Sequence, residues 1–321
     1  MMNDNLKMLI RSIVMNNDMR TARIYCKMIL NGEKAERNQS FVRAMLGELS
    51  KPQLFELPPN LEGLLFKEDV AASYRPARYF ISQREEELAG KIMLMNRASE
   101  KMRDAGINYL NSTLLTGKPG TGKTSFARFL AYKMNLPLVY VNISSVVDSL
   151  MGGTSKNLQR IFDYVGKAPC VFLLDELDSI CGNRDGGGDS AAGKETFRTT
   201  LALMQNLDQL SSETILLAAT NKTKLLDDAV FRRFHFVHEV KMLDAAEMEQ
   251  LLICYLRDIE ECVGEPIPFD EQDICQFCAP VSLFQESKQS PSTFDAIHTL
   301  EEQVARYFIN GSPVRFCGGV A

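Results

Sequence analysis

Apolar residues in the first fifty positions recur at helical spacing, with Met19, Ala22, Tyr25, Met28 and Ile29 falling on one side of a helix. Asp18 fits an N-cap and Asn31-Gly32 a stop, so residues 1–50 are expected to form a small helical unit. Across 51–82 the period disappears and Pro52, Pro58, Pro59 and Pro76 punctuate the chain, a pattern of linker and approach to the next domain. Helical and heavily charged spacing returns over 83–105. Short apolar runs then follow at 113–115, 138–141, 171–174, 215–219 and 236–240, separated by helical stretches. Strands and helices in alternation predict an α/β unit over 83–241 with a five-stranded parallel sheet, its chemistry at the carboxyl ends of the strands. Beyond it only helical spacing recurs, at 245–257, 270–278 and 293–309, which predicts a helical subdomain over 242–321. One stretch of low complexity, 182–193, is rich in glycine and small polar residues and reads as a flexible loop.

Composition narrows the class. The 321 residues are 45% hydrophobic and 24% charged, enough apolar material for a sizeable core and too much for a disordered chain. No apolar run approaches the ~20 residues that span a bilayer, and Lys7 and Arg11 interrupt the first apolar stretch, unlike a secretory leader. No membrane is expected as a partner, and the location is read as cytoplasmic. Eight cysteines in that setting are expected to be reduced thiols. A net charge of −5 argues against broad nucleic-acid affinity, which needs clustered Lys and Arg.

The loop after the first sheet run carries the strongest chemical signal. Gly117, Lys118, Pro119, Gly120, Thr121, Gly122, Lys123 and Thr124, followed by Ser125, satisfy the phosphate-loop pattern at the required place, between a strand and a helix. Glycines let backbone N–H groups curl around phosphates, Lys123 reaches the β and γ oxygens, and the Thr124 hydroxyl is a ligand for Mg²⁺. A glycine-rich turn that binds nothing is the competing reading. At average residue usage the pattern arises by chance on the order of once per hundred chains of this length.

Three further runs point to the same chemistry. Val171 to Leu174 end in Asp175 and Glu176, adjacent carboxylates that repel one another unless a cation is close. Mg²⁺ is that cation in this reading, with Asp175 holding it through its water shell and Glu176 orienting the attacking water. Ile215 to Thr220 end in Asn221, which would reach the same phosphates if its strand lies between the other two; spacing alone does not fix that order. Arg232 and Arg233 follow, and arginine can neutralise transferred-phosphoryl charge across a subunit boundary. A surface pair making weak ion contacts is the alternative.

Together GKPGTGKT, VFLLDELDSI, ILLAATN and LDDAVFRRF resemble, in order and spacing, the AAA ATPases of the wider AAA+ class, over roughly residues 85–310. The resemblance implies a P-loop NTPase fold with a five-stranded sheet and a helical lid, ATP and Mg²⁺ bound between them, and a homo-oligomeric ring, usually a hexamer. It also implies that Asn221 is the phosphate sensor of that family and that Arg232 and Arg233 fall in its arginine-finger region, acting on the ATP of a neighbouring subunit. The implied activity is ATP hydrolysis coupled to the remodelling or regulation of a protein partner. The short helical start, the RRF ending and the small lid resemble a bacterial group encoded beside a subtilisin-like protease, which implies such a protease as partner.

Two departures bear on what such a motor would do. Protein-threading relatives carry a pore aromatic where Asp148, Ser149, Leu150, Met151, Gly152 and Gly153 stand here, and Leu150 supplies no stacking grip. The lid helix beginning near Ser292 carries no arginine at its start, as in many protein-remodelling members. A nucleotide-dependent scaffold or switch controlling a protease or nuclease, and a DNA-acting helper, are the rival readings; the charge and the missing arginine count against the second. Cys254, Cys262, Cys275 and Cys278 have the wrong spacing for a zinc knuckle and read as packing residues. His235, His238 and His298 read as structural or interfacial, and Arg184 in the glycine-rich loop as a residue facing substrate or a plain connector.

Overall fold

The computed structural model describes residues 4–14, 19–33, 35, 38–50, 57–107, 109–146, 153–179, 191–210, 213–222, 226–279 and 291–316. Helices α1 (Asp4–Val14), α2 (Met19–Gly32) and α3 (Gln39–Ser50) form the first unit. Ala22 and Val42 are buried within it, whereas Met28 stays exposed. Asp18, read as the cap of α2, lies outside the described residues.

The sheet follows from β1 (Phe66–Glu68), β2 (Ser112–Thr116), β3 (Leu138–Asn142), β4 (Val171–Asp175), β5 (Ile215–Thr220) and β6 (Phe236–Glu239), in the order β1-β3-β4-β5-β2-β6. The five strands read from the sequence are present and parallel, with Leu114 opposite Ala218 and Val139 opposite Phe172. The sixth corrects the expected count. β1 runs antiparallel to β3 inside the stretch read as a linker. Three residues leave no period to detect, and long-range contacts hold them: Phe66 stacks on Tyr140 at 5.2 Å, and Arg128 Nε lies 2.9 Å from Glu68 Oε2.

Alternation along the strands sends successive side chains to opposite faces. Leu114, Phe172, Leu174 and Leu216 meet Leu158 and Ile161 of α8 (Gly153–Val165) and Leu203 of α9 (Ala191–Gln209), after the short α7 (Ile143–Val146). On the other face Leu115, Leu173 and Leu217 meet Ile92 of α5 (Gln83–Asp104) and Phe126 and Leu130 of α6 (Lys123–Met134), next to the short α4 (Val70–Ser73). Both faces are covered, which is why the central strands read as unbroken apolar runs.

After α10 (Asp228–Phe231) and β6, three helices share a separate core built on Leu252, Leu256, Ile274 and Leu300. They are α11 (Ala245–Val263), α12 (Glu271–Cys278) and α13 (Thr293–Asn310). Capping boxes start α11 at Asp244 and α13 at Ser292. α11 runs past the expected end at 257, through a charged turn, until Gly264 closes it with a left-handed cap at φ 78°. No helix among the described residues is long and apolar enough to cross a membrane.

Candidate functional site

The carboxyl end of β2 runs directly into the phosphate loop, and α6 begins at Lys123. Gly117 has φ 145°, and a Cβ there would collide with the Val240 carbonyl oxygen, so only glycine lets the loop pass β6 this closely. Lys123 is largely buried, and its ammonium uses all three of its donors. It donates to the carbonyls of Gly117 and Lys118 at 2.9 Å and to Asn221 Oδ1 at 2.6 Å. Burial lowers its pKa, and the charges of Asp175 and Asp178 oppose that fall.

Strand order settles the position of Asn221. β5 lies between β4 and β2, so the residue after β5 stands between the acidic end of β4 and the phosphate loop. Two residues that the sequence reading did not single out shape this turn. The Thr220 hydroxyl donates to Asp178 Oδ1 at 2.9 Å and accepts the Lys222 N–H at 3.1 Å. Their polar character next to DE and TN was the available signal.

At the end of β4, Asp175 Oδ1 accepts the Glu176 N–H at 2.9 Å, and Oδ2 lies 3.5 Å from the Thr124 hydroxyl. Burial, joined by repulsion from Glu176, raises the Asp175 carboxyl above its ordinary value. Glu176 itself has φ 55°, a left-handed conformation uncommon for a residue with a side chain, and one that clusters at functional turns. A hydroxyl and a carboxylate converging beside a second carboxylate form an oxygen donor set of the kind Mg²⁺ takes. Thr124 and Asp175 therefore fit the ion that the phosphate-loop reading requires.

A cavity of about 660 Å³ opens beside the loop, lined among others by Phe80, Ser82, Gly122, Phe126, His238 and Leu243. Its size suits a small-molecule ligand. Ser82 donates its N–H and hydroxyl to Glu85 Oε2 at 2.8 and 2.6 Å. His238 Nε2 faces Glu85 Oε1 across 3.7 Å, too long for a hydrogen bond. The segment 80–82 carries no sequence motif, and its role in the wall is not legible from the sequence.

The two arginines diverge. Arg233 grips Asp208 of α9 through Nε and Nη2, both at 3.0 Å, and donates Nη1 to the Ala229 carbonyl at 2.8 Å. Arg232 is exposed at the end of α10. The hydrogen bonds that join Lys123, Thr124, Asp175 and Asn221 thus do not include this pair.

Residues 148–152, with Leu150, and 182–190, with Arg184, lie outside the described residues. Cys278 is buried in the helical core, but Cys275 and Cys262 are exposed and Cys254 is half-buried, so packing accounts for only part of that set. Among the described residues no three or more His, Cys, Asp or Glu side chains gather as a metal site. His235 packs edge-on against Tyr109 at 4.9 Å, and His298 stacks on Phe294 at 6.2 Å.

A phosphate loop on a sheet with adjacent acidic and amide strand ends defines a P-loop nucleotide-binding domain. Residues 113–242 match the family described as "ATPase family associated with various cellular activities (AAA)". An uncharacterized AAA family ATPase of Sinorhizobium fredii is 32% identical over 183 residues, which are 57% of this chain and 52% of that protein. The ATP-dependent zinc metalloprotease FtsH of Mycoplasmoides gallisepticum is 35% identical over 158 residues, 48% of this chain and 20% of that protein. The protein SUPPRESSOR OF K(+) TRANSPORT GROWTH DEFECT 1 of Arabidopsis thaliana is 31% identical over 154 residues, 48% of this chain and 35% of that protein. Over residues 113–242 the chain therefore carries a domain of the AAA ATPase family. It spans about half the length of the first relative and 20% and 35% of the other two.

Proposed function

We propose that the site binds ATP with Mg²⁺ and hydrolyses it to ADP and phosphate, and that a homo-oligomeric ring, a hexamer, couples this reaction to the remodelling or regulation of a protein partner. The observation that carries the proposal is the convergence of Lys123, Thr124, Asp175 and Asn221 at the carboxyl ends of β2, β4 and β5. When ATP enters, the Lys123 ammonium exchanges its carbonyl partners for the β and γ oxygens, and the backbone of Gly117 to Ser125 wraps the phosphates. Thr124 and Asp175 would hold Mg²⁺, which would supply positive charge against the phosphates. Glu176 orients a water for attack on the γ-phosphorus and takes up its proton, and Asn221 holds the γ-phosphate in line.

The exposed Arg232 supports a trans role for that residue, acting on ATP held by the neighbouring subunit. Arg233, bound to Asp208, supports it by fixing the turn. The FtsH relative is named a protease, and this supports a protein as partner here. The helical start, the RRF ending and the small lid favour a subtilisin-like protease in that role, and the motif set favours a cytoplasmic setting.

Leu150, standing where threading motors have an aromatic, favours a second reading in which the ATP state switches a partner enzyme on or off and turnover is slow. Leu150→Ala separates the two: a threading motor loses substrate-stimulated turnover, and a switch retains partner activation. ATP turnover and ATP binding, measured side by side for the wild type and Lys123→Ala, test the main reading. Loss of both in the variant supports it, and unchanged binding contradicts it.

A further inference from the structure

The cavity beside the phosphate loop is enclosed by two parts of the chain that belong to different cores. Phe80 lines it and also packs against the core of α11–α13, and so does Leu243. Phe80 lies just after a single turn, Pro76–Arg78, whose prolyl ring fixes its first residue. From that turn Arg78 Nε donates to Asp258 Oδ2 at 2.6 Å, joining positions 180 residues apart. Arg75 Nη1 lies 3.5 Å from the other Asp258 oxygen. Asp258, on α11, is only 11% exposed, so this is not the screened surface pair whose worth is near zero.

Contacts continue from there. The Arg78 guanidinium lies over the Tyr255 ring, 5.0 Å from its centroid. The Tyr255 hydroxyl donates to Glu301 Oε1 of α13 at 2.9 Å. Burial and the Glu301 carboxylate push that phenol up to about 12. At its other end α13 returns to the site: a Cβ on Gly120 of the phosphate loop would stand 3.1 Å from Ser292 Oγ and 3.5 Å from Phe294 Cβ. One chain of contacts therefore runs from the cavity wall at 80–82, through Arg78, Tyr255 and Glu301, along α13 to the phosphate loop.

Resting on the reading of this cavity as the nucleotide site, we propose that Arg78 is a positioning residue for nucleotide binding. Through Asp258 and Tyr255 it fixes the helical unit α11–α13 against the wall 80–82, so that filling the cavity and seating the helical unit are one event. A ligand touching both walls binds better when they are held in register, and by linkage its binding strengthens the contacts that hold them. The sheet and the phosphate loop do not need Arg78 to fold, because their cores are made by other residues.

Titration of the full chain with a fluorescent ADP analogue tests this, using wild type, Arg78→Ala, Asp258→Ala, the double variant, and Lys123→Ala as control. Each latch variant is expected to weaken binding about five- to tenfold, and the double variant no more than the weaker single, because both remove one coupling. Arg78→Lys, which keeps the charge opposite Asp258, is expected to recover most of the affinity. ADP is expected to protect α11 and α13 from hydrogen exchange in the wild type and not in Arg78→Ala. Wild-type affinity in Arg78→Ala together with lost binding in Lys123→Ala overturns the latch and leaves the site standing. Unchanged binding in Lys123→Ala overturns the site reading itself. If Arg78→Ala does not fold, an absence of ADP protection of α11 and α13 in the wild type overturns the latch.

Discussion

Lys123 and Asn221, 98 positions apart, are joined by a hydrogen bond of 2.6 Å between the ammonium Nζ and the amide Oδ1. The bond ties the phosphate loop to the end of β5 and sets the two polar groups side by side. Asn221→Ala leaves the loop and its backbone donors in place. It is therefore expected to keep ATP affinity within a few fold and to lower turnover by about ten- to a hundredfold, read as a fall in kcat with little change in KM. Equal losses in affinity and in turnover would assign Asn221 to binding instead.

Glu176 stands in a left-handed turn next to Asp175, whose carboxylate accepts its backbone N–H. Glu176→Gln preserves shape and removes the proton acceptor. ATP binding is expected to persist while turnover drops by about a hundredfold or more. Unchanged turnover in that variant would remove Glu176 from the mechanism.

Arg232 and Arg233 are adjacent in sequence and differently engaged in space, so their substitutions are expected to separate. Arg233→Ala breaks the fork to Asp208 and lowers the melting temperature by about 2–4 °C. Arg232→Ala leaves the melting temperature unchanged and lowers turnover. Mixing Arg232→Ala with Glu176→Gln subunits tests action in trans: mixed assemblies regain turnover because each supplies what the other lacks. Mixtures no more active than the separate variants would place Arg232 outside the neighbour's site.

Glu85 gives a pH dependence. Burial alone would raise its carboxyl, but the pull of His238 and Ser82 is larger and holds it below its ordinary value. A carboxyl depressed in the folded state stabilises the fold above its unfolded pKa, about 4.3, and that contribution is lost as pH falls through the folded value. Glu85→Gln keeps a capping-box side chain and discards the charge. The melting-temperature gap between wild type and variant is expected to be full at pH 7 and to close below about pH 4. A gap constant from pH 7 to pH 3 would show that charge plays no part.

Much of this arrangement was legible in the sequence where chemistry and local pattern coincide. Val171 to Leu174 and Ile215 to Ala219 are fully buried, which makes them unbroken apolar runs, and the polar residues ending them mark the site. Asn221 needed the strand order, a long-range property that no window of sequence contains. β1 was invisible because it is three residues long and held by partners at Arg128 and Tyr140. The different fates of Arg232 and Arg233 depended on Asp208, 25 positions from Arg233, and the Arg78–Asp258 contact on residues 180 apart. Pairings of this kind are created by folding and leave no spacing to read.

The central claim is that this fold builds an ATPase site completed by a neighbouring copy. The most direct test is ATP turnover per subunit in the presence of Mg²⁺ as protein concentration is raised through the assembly range, with Glu176→Gln measured alongside. Turnover per subunit that climbs steeply with concentration, and is absent in the variant, is the predicted result. Turnover that is independent of concentration and equal in the two proteins would contradict it.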